Sequence, residues 1–374
     1  MRASSGTLLA CLGTLSTLAL AKVNCIGDVV IADSDDAREV REACEIITGD
    51  ITLVGSFEDS INLDGVKKIG GNFFHEQCSW EMSPPSVCPK PSKRTISSST
   101  LESIRGSLTV DSTSGLEALS FPGLMVVNGS LNLMSLDDLK HVDFTSLEYV
   151  ARLSWNTENL KTLKMNGLKN MGEGRQGEET LQFISVGELN SVDTFYKNPI
   201  HADDDTGAII DLDADWMPNV KDVTIGWEFM DALRINVTEL DVTLGGPNTT
   251  EMEIGSIGLR QGSINLEGSS KLETLKVGSF YVNTTDPSLG PDIEHLSLPF
   301  EELGGLYLQD WKTLRSIQLP PAAEKWKSFS LQLEDCENLD LTSEYNADKE
   351  KTWYWPMSDM EDLRVTGNIS NAFL

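Results

Sequence analysis

The chain has 374 residues, of which 40% are hydrophobic and 23% are charged. This balance is typical of a folded protein and excludes a wholly disordered chain. The 58 Asp and Glu residues outnumber the 29 Lys and Arg residues, which gives a formal net charge of −29. Because binding to a phosphate backbone requires clusters of basic residues, the charge argues against nucleic acid as a partner. An acidic surface of this kind keeps copies of a protein apart and in solution.

The N-terminus has the pattern of a secretory signal. Arg2 precedes an apolar stretch from Leu8 to Leu20, and Ala19-Leu20-Ala21 has the small-x-small form of a cleavage site. We therefore expect residues 1–21 to be a signal peptide and Lys22 to begin the mature chain. A signal anchor is the alternative, but the stretch is shorter than the roughly 20 apolar residues that span a bilayer. No other segment approaches that length, so the sequence predicts no transmembrane span and an extracellular protein.

The first cysteines of the mature chain frame a short helix. Cys25 and Cys44 bracket an acidic segment in which residues 34–44 begin with good N-cap residues and place Val40 and Cys44 on one helical face. We expect a disulfide between these two cysteines and a helix that caps the first strand. Closing such a loop stabilises a fold by about 3 kcal/mol on the chain-entropy estimate.

Three more cysteines follow. Cys78 and Cys88 flank Pro84-Pro85, a rigid turn that limits how far the thiols can separate, so we expect a second disulfide across a protruding loop. A zinc site is the alternative, but the spacings do not resemble CxxC pairs and histidine is scarce. Cys336 is left as a buried thiol or as half of a bond to a partner outside this sequence.

A repeated phrase indicates the fold. Gly106-Ser-Leu-Thr-Val110 returns as Gly129-Ser-Leu-Asn-Leu133 and, weakly, as Ala151-Arg-Leu-Ser-Trp155, at spacings of 23 and 22 residues. A fixed period of this size predicts a solenoid, and the period-2 apolar positions within each phrase predict strands. The predicted strands are Asp50–Gly55, Gly70–Phe74, Gly106–Val110, Gly129–Leu133, Ala151–Trp155, Leu181–Ser185, Asp222–Gly226, Leu240–Leu244, Ser263–Glu267, Gly305–Gln309 and Phe329–Leu333.

The segment from Met165 to Thr180 is rich in glycine and charge, which favours a loop or a soft boundary. We therefore predict a first lobe over residues 22–170 and a second, more irregular lobe over residues 171–374, continuous with the first. Spacings in the second lobe depart from 22 residues, so its coils carry longer loops or are partly degenerate.

Five Asn-x-Ser/Thr sequons are candidate N-glycosylation sites in a secreted chain. They are Asn128, Asn236, Asn248, Asn283 and Asn368. Chance alone produces one or two, so we expect most of them, not all, to carry glycan. We expect Asn128 in the turn just before the Gly129 phrase.

These features together resemble a known family. The opening Cys25-Ile-Gly-Asp-Val-Val-Ile31, the acidic helix to Cys44, Ile46-Ile-Thr-Gly-Asp-Ile-Thr-Leu53 and the recurring Gly-Ser-Leu phrase resemble receptor L-domains. More closely, residues 22–160 resemble the fungal GPI-anchored cell-wall organisation proteins, a family related to a sporulation protein.

The resemblance implies a right-handed β-helix related to leucine-rich repeats, a glycosylated ectodomain at the plasma membrane or wall, and a role in wall integrity without catalysis. It also implies a GPI anchor, whereas residues 367–374 lack the polar spacer and hydrophobic tail of a GPI signal. The family pattern supplies no active-site motif. The implied partners are wall polysaccharide or a wall or surface glycoprotein.

The search for chemistry gives weak signals. Asp211, Asp213 and Asp215 resemble the start of a calcium loop, but Trp216 stands where an EF-hand needs glycine and Asp222 where it usually has glutamate.

The four histidines lack a nucleophile-elbow context, and we expect structural or exposed roles for them. They are His75, His141, His201 and His295. We expect no cofactor and no catalytic residue. A β-helix polysaccharide hydrolase or lyase, with two carboxylates flanking a sugar, is the enzymatic alternative.

Aromatic residues concentrate toward the C-terminus, where Trp311 and Trp326 precede Trp353-Tyr354-Trp355. Exposed aromatic rings stack on sugars or form protein hot spots, and rings can also close the open end of a solenoid. We favour the capping interpretation. The sequence thus predicts a non-catalytic, secreted or cell-surface glycoprotein that supports fungal cell-wall organisation, with a carbohydrate- or protein-binding solenoid as the alternative.

Overall fold

The computed structural model is a mainly β protein that forms a parallel solenoid of about ten turns, as the repeats predict. It describes residues 24–54, 60–76, 93–165, 167–171, 180–186, 188–197, 201–202, 208–213, 217–282, 294–320, 326, 328–339 and 359–367.

The strands of the first half are short and follow one another at coil intervals. They are β1 (Val29–Ile31), β2 (Ile46–Ile47), β3 (Ile51–Leu53), β4 (Ile61–Asn62), β5 (Lys68–Ile69), β6 (Phe73–Glu76), β7 (Arg94–Ser97), β8 (Ser103–Ile104), β9 (Leu108–Asp111), β10 (Leu116–Ser120), β11 (Val126–Met134), β12 (His141–Asp143), β13 (Tyr149–Asn156), β14 (Thr162–Lys164) and β15 (Asn170–Met171). Helix α1 (Ser34–Ala43) lies between β1 and β2.

The second half contains the longer strands. They are β16 (Thr180–Ser185), β17 (His201–Ala202), β18 (Ala208–Asp213), β19 (Asp222–Ile225), β20 (Phe229–Leu244), β21 (Glu251–Gly268), β22 (Thr274–Val282), β23 (His295–Ser297), β24 (Glu302–Gln309), β25 (Ser316–Gln318), β26 (Ser328–Glu334) and β27 (Asp359–Thr366). Helix α2 (Asp193–Tyr196) lies between β16 and β17.

Successive coils contribute strands to a sheet that we call the broad face. It is formed by β1, β3, β6, β9, the C-terminal parts of β11 and β13, β16, β18, β20, β21, β22, β24, β26 and β27. All of these pairings are parallel, and residues one coil apart stand side by side, as Ile51, Phe73 and Leu108 do. A second array, β4, β7, β10, β12 and β14, lies on another side of the coils.

Alternate residues of the strands point into the coils and stack into one continuous core. Leu131, Leu133 and Leu153 have no solvent exposure, and the other inward positions behave in the same way. Aromatic rings follow one another along the core, with Phe73 and Phe121 at 5.8 Å, Phe121 and Phe144 at 6.1 Å, and Phe144 and Trp155 at 6.4 Å between centroids. This burial is the main stabilising term of the fold.

The repeated Gly-Ser phrase forms the corner before the broad face. Asp50 Oδ1 accepts a hydrogen bond from the backbone N–H of Asn72, and Asn72 Oδ1 accepts one from Ser107 N–H. Ser107 Oγ accepts from Ser130 N–H in the next coil. The side chain of each corner residue therefore holds the backbone of the following coil. Glycine precedes each corner residue because a Cβ there would overlap the preceding coil, as at Gly71, where it would lie 2.0 Å from Asp50 Oδ1.

Helix α1 covers the first coil, as the sequence predicts. Asp33 is its N-cap and accepts hydrogen bonds from the backbone N–H groups of Asp35 and Asp36, which satisfies two donors that a helix leaves open. Val40 is buried on the inward side of the helix. Cys44 ends the helix and forms a disulfide with Cys25, with the two Cα atoms 5.6 Å apart.

Strand pairing continues through the predicted boundary between the lobes. Strand β13 pairs with both β15 and β16, and β15 pairs with β17. The two predicted lobes therefore share one sheet, and the division at residue 171 stays a prediction. In the second half, β20 (16 residues) and β21 (18 residues) run continuously around the corners where the first half has separate short strands.

Candidate functional site

The cysteines fall into three environments. The Cys25–Cys44 disulfide closes the capped end of the solenoid. Cys78 and Cys88 lie outside the described residues. Cys336 is fully buried, and burial raises the pKa of its thiol to about 11, so at neutral pH it is an unreactive core residue. Cys336 directly follows Asp335, whose backbone is in the left-handed region. Trp311 has the equivalent position one coil earlier, because it follows Asp310, which has the same backbone conformation.

The described sequons differ in accessibility. Asn128 is exposed and lies within β11, at the point where the pairing with β13 shifts register, and not in a separate turn before the strand as we expected. Asn248 is exposed in the turn between β20 and β21. Asn236 is half-buried in β20, and its amide Nδ2 donates a 2.7 Å hydrogen bond to Asp213. Asn283 and Asn368 lie outside the described residues.

The tryptophans within the described residues belong to the core. Trp326 is 1% exposed and its indole N–H donates to the backbone oxygen of Glu301 at 2.9 Å. Trp311 is also buried, and its indole N–H donates to Thr313. Neither ring is available for stacking on a ligand. Trp353, Tyr354 and Trp355 lie outside the described residues, so their proposed role as a cap or binding site stays a prediction.

Two histidines make the same kind of contact in different coils. His141 Nδ1 lies 2.8 Å from Thr162 Oγ1, and His295 Nδ1 lies 2.9 Å from Ser316 Oγ. In both pairs the hydroxyl residue is the register neighbour on the next strand. Because the contact recurs at equivalent positions of the coil, it is a means of joining coils and gives Ser316 no distinctive nucleophilic setting.

His75 occupies an inward position on β6 and has no solvent exposure. Its Nδ1 lies 3.0 Å from the backbone oxygen of Leu53. Burial lowers the pKa of His75 to about 4, the bond to Leu53 opposes this shift, and the charge of Arg94 adds to it. The imidazole is therefore neutral at physiological pH. The side chain of His201 lies outside the described part of the chain.

The acidic side chains on β18 interact with side chains of the next coil. Asp211 lies 3.9 Å from the guanidinium of Arg234, and Asp213 accepts from Asn236. Burial raises the pKa of Asp211, while Arg234 and Arg260 act against that shift. Within the described residues, no three His, Cys, Asp or Glu side chains are grouped closely enough to hold a metal ion. Asp215 lies outside them.

The second half of the broad face carries a distinct outward surface. On β20, β21, β22, β24 and β26 the outward positions form two rows between buried inward residues. The first row is Ala232, Ser256, Ser279, Gly305 and Ser330, and the second is Arg234, Gly258, Tyr281, Tyr307 and Gln332. We call these ten positions the tyrosine face. None of them is a carboxylate, although the chain has 58 acidic residues.

Two glycines determine how the tyrosines lie on this face. A Cβ at Gly258 would stand 2.5 Å from Cζ and the hydroxyl of Tyr281, its register neighbour. A Cβ at Gly305 would stand 2.5 Å from Cε2 of Tyr307 on the same strand. The Tyr281 ring therefore leans across the sheet onto Gly258, whereas the Tyr307 ring leans along its own strand onto Gly305, and both tyrosines stay partly exposed. Neither hydroxyl has a hydrogen-bond partner within the part of the chain that the structure describes.

This surface was not predicted from the sequence. The aromatic residues predicted to form a site lie close together in the chain, around Trp353, whereas Tyr281 and Tyr307 lie one coil apart and become neighbours only when the coils stack. The available signal was a tyrosine in successive strands at about the coil spacing, each with a glycine at a neighbouring outward position.

No protein-family model, curated protein or solved structure matches the chain. Of the helices in the described ranges, none is long and apolar enough to cross a membrane.

Proposed function

We propose that this protein is a non-catalytic, extracellular glycoprotein that supports the organisation of a fungal cell wall. The observation that carries the proposal is the Cys25–Cys44 disulfide on the capping helix, just after a signal-like N-terminus. Stable structural disulfides belong to oxidising compartments outside the cytosol. The fungal wall as the setting rests on the resemblance of residues 22–160 to wall organisation proteins.

The solenoid suits such a role because its coils present long faces to neighbouring wall components. The net charge of −29 favours separation of copies from one another. Two sequons, at Asn128 and Asn248, are exposed and leave room for bulky glycans. The partner class is wall polysaccharide or a wall or surface glycoprotein.

The test is deletion of the encoding gene in its own host, followed by growth on dyes that stress the wall. We expect greater sensitivity in the deletion strain and rescue by the intact chain. A Leu133→Asp variant, which places a charge in the core, is the control and should fail to rescue because the chain does not fold. A deletion strain that grows like the parent would count against the proposal.

Among the described carboxylates, Asp211 and Asp213 bear most on the enzymatic alternative, because burial raises the pKa of Asp211. Asp211 and Asp213 point outward from the same strand, two residues and therefore about 7 Å apart, within the range of inverting glycosidases. The raised pKa of Asp211 suits a general acid. Its pairing with Arg234 and that of Asp213 with Asn236 fit a structural role equally well. We expect no release of reducing ends from wall glucans or pectins, and release that Asp211→Asn abolishes would support the alternative.

A further inference from the structure

We propose that the tyrosine face binds a neutral polysaccharide chain, with Tyr281 and Tyr307 as its two stacking positions. This deepens the proposed function and rests on it in one respect, namely that the protein meets glycans outside the cell. The ligand class follows from the shape, charge and hydrogen-bonding groups of the face.

The shape of the face suits sugar rings. The tyrosine rings lie down on the sheet, Tyr281 across it onto Gly258 and Tyr307 along its own strand onto Gly305, and both tyrosines stay partly exposed to solvent. Inward neighbours such as Phe280 and Leu306 fix the strands beneath them. Aromatic rings held in place by the backbone bind at a low cost in conformational entropy, which favours stacking on the apolar face of a sugar.

The spacing of the rings indicates a chain and not a single sugar. Tyr281 and Tyr307 are register neighbours, but their ring tips rest on glycines that lie two strands apart and in different rows, so the tips lie at least about 10 Å apart, diagonally across the sheet. A sugar ring is about as large as one tyrosine ring. One monosaccharide therefore cannot contact both positions, whereas an oligosaccharide that runs across the strands can.

The charge of the face favours a neutral ligand. The remainder of the molecule is strongly acidic and repels an anionic polymer such as a polyuronate. None of the ten positions of the tyrosine face is a carboxylate, and the carboxylates at its two edges are paired, Asp211 with the one cation, Arg234, and Asp362 with the amide of Gln332. A neutral chain meets neither repulsion nor an unpaired charge there.

Polar groups flank the tyrosines on both sides. Ser279 lies in the row that contains Gly305, and Gln332, whose amide nitrogen donates to Asp362 at 2.9 Å, follows Tyr307 in its own row. Gln309 is exposed two residues beyond Tyr307. Hydroxyl and amide groups both donate and accept hydrogen bonds, which matches the hydroxyls of a neutral sugar.

The test is isothermal titration of the intact secreted protein with neutral hexasaccharides of β-glucan and chitin, glucose and hexagalacturonate. We expect binding to a neutral hexasaccharide and none to glucose or hexagalacturonate. Tyr281→Ala and Tyr307→Ala should each weaken binding about tenfold or more, as expected for aromatic hot spots. Tyr149→Ala removes a tyrosine of similar partial exposure from the first half of the solenoid and should leave binding unchanged.

A second variant separates ring position from ring loss. Gly258→Ala places a methyl group where the flexible end of Tyr281 now lies, so the ring must move while the backbone stays. We expect an unchanged melting temperature and about a tenfold loss of affinity. Gly278→Ala is the contrast, because its Cβ would lie 2.4 Å from the backbone oxygen of Gly255 and should lower the melting temperature.

Absence of binding to every neutral hexasaccharide overturns the inference, as does binding that both tyrosine variants retain. Binding of hexagalacturonate through the same tyrosines would also overturn it. A wall defect on gene deletion without glycan binding would support the proposed function and overturn glycan binding by the tyrosine face. Glycan binding without a wall defect would support binding by the tyrosine face and count against the role in wall organisation.

Discussion

At the residue scale, the hydrogen bonds between the corner residues of successive coils explain why the sequence repeats a glycine followed by a small polar residue. The glycine allows close approach of two coils, and the next side chain accepts the backbone N–H of the following coil. Asp50, Asn72 and Ser107 perform this role with different chemistries. The repeat therefore predicted the coil period correctly, but a sequence pattern alone could not show that its first two residues form a corner.

Substitution of Asn72 by alanine tests the hydrogen bonds between corner residues. The change removes the acceptor for Ser107 N–H, and we expect a loss of about 1 kcal/mol in the free energy of unfolding, measured by urea denaturation. Asn132→Ala is the matched control, because its amide donates only to the Thr109 hydroxyl on the outward side. A larger effect for Asn132→Ala than for Asn72→Ala would contradict the assigned role of the corner.

His75 makes stability depend on pH in a defined direction. Burial lowers its pKa to about 4, whereas the unfolded chain has a value near 6.5. Between these values the unfolded chain binds a proton that the folded chain does not. The stability from the neutral buried ring is therefore fully present above pH 6.5 and is lost as pH falls toward 4, by about 3 kcal/mol in all.

Urea denaturation of the parent and of His75→Gln between pH 7 and pH 4 measures this contribution. We expect the variant to lose less stability than the parent between pH 7 and pH 4. This difference in pH dependence is independent of any effect that the substitution itself has on the free energy of unfolding at pH 7. Parallel curves for the two proteins would show that His75 does not lower its pKa on folding.

At the scale of elements, the capping helix is the part that was best predicted. Its acidic start, its apolar positions and the two flanking cysteines all gave local signals, and the structure has the helix at Ser34–Ala43 with the Cys25–Cys44 disulfide. Five strands of the broad face in the first half, β3, β6, β9, β11 and β13, were also predicted, at least in part, because each contains a period-2 pattern, whereas the strands on the other sides of the coils, such as β7 and β10, were not. Strands β20 and β21 were found only in part, since their continuity around the corners depends on pairing with neighbouring coils.

Removal of the capping disulfide tests how much it contributes. We expect the Cys25→Ala, Cys44→Ala double variant to lose about 3 kcal/mol, because its 19-residue separation closes a loop of the size for which that value is estimated. Calorimetry or urea denaturation measures the change. Cys336→Ala is the control for loss of a cysteine outside the bond, and a double variant as stable as the parent would contradict the role of the cap.

At the scale of the whole molecule, one parallel sheet runs through both of the predicted lobes, which the sequence predicted to be continuous. The glycine- and charge-rich segment after Met165 is a local feature, and local composition cannot report that β13 pairs across it with β16. The fold class could be predicted because a repeat is visible in the chain. The tyrosine face could not, because Tyr281 and Tyr307 become neighbours only through the stacking of coils.

We propose above that this solenoid acts outside the cell as a glycosylated surface protein. Expression of the full chain with its own N-terminus in a fungal host, followed by peptide mapping of secreted and retained protein, tests this proposal. We expect a secreted chain that begins at Lys22, contains the Cys25–Cys44 disulfide and carries glycan at Asn128 and Asn248. A retained chain with reduced cysteines and both sequons unmodified would contradict it.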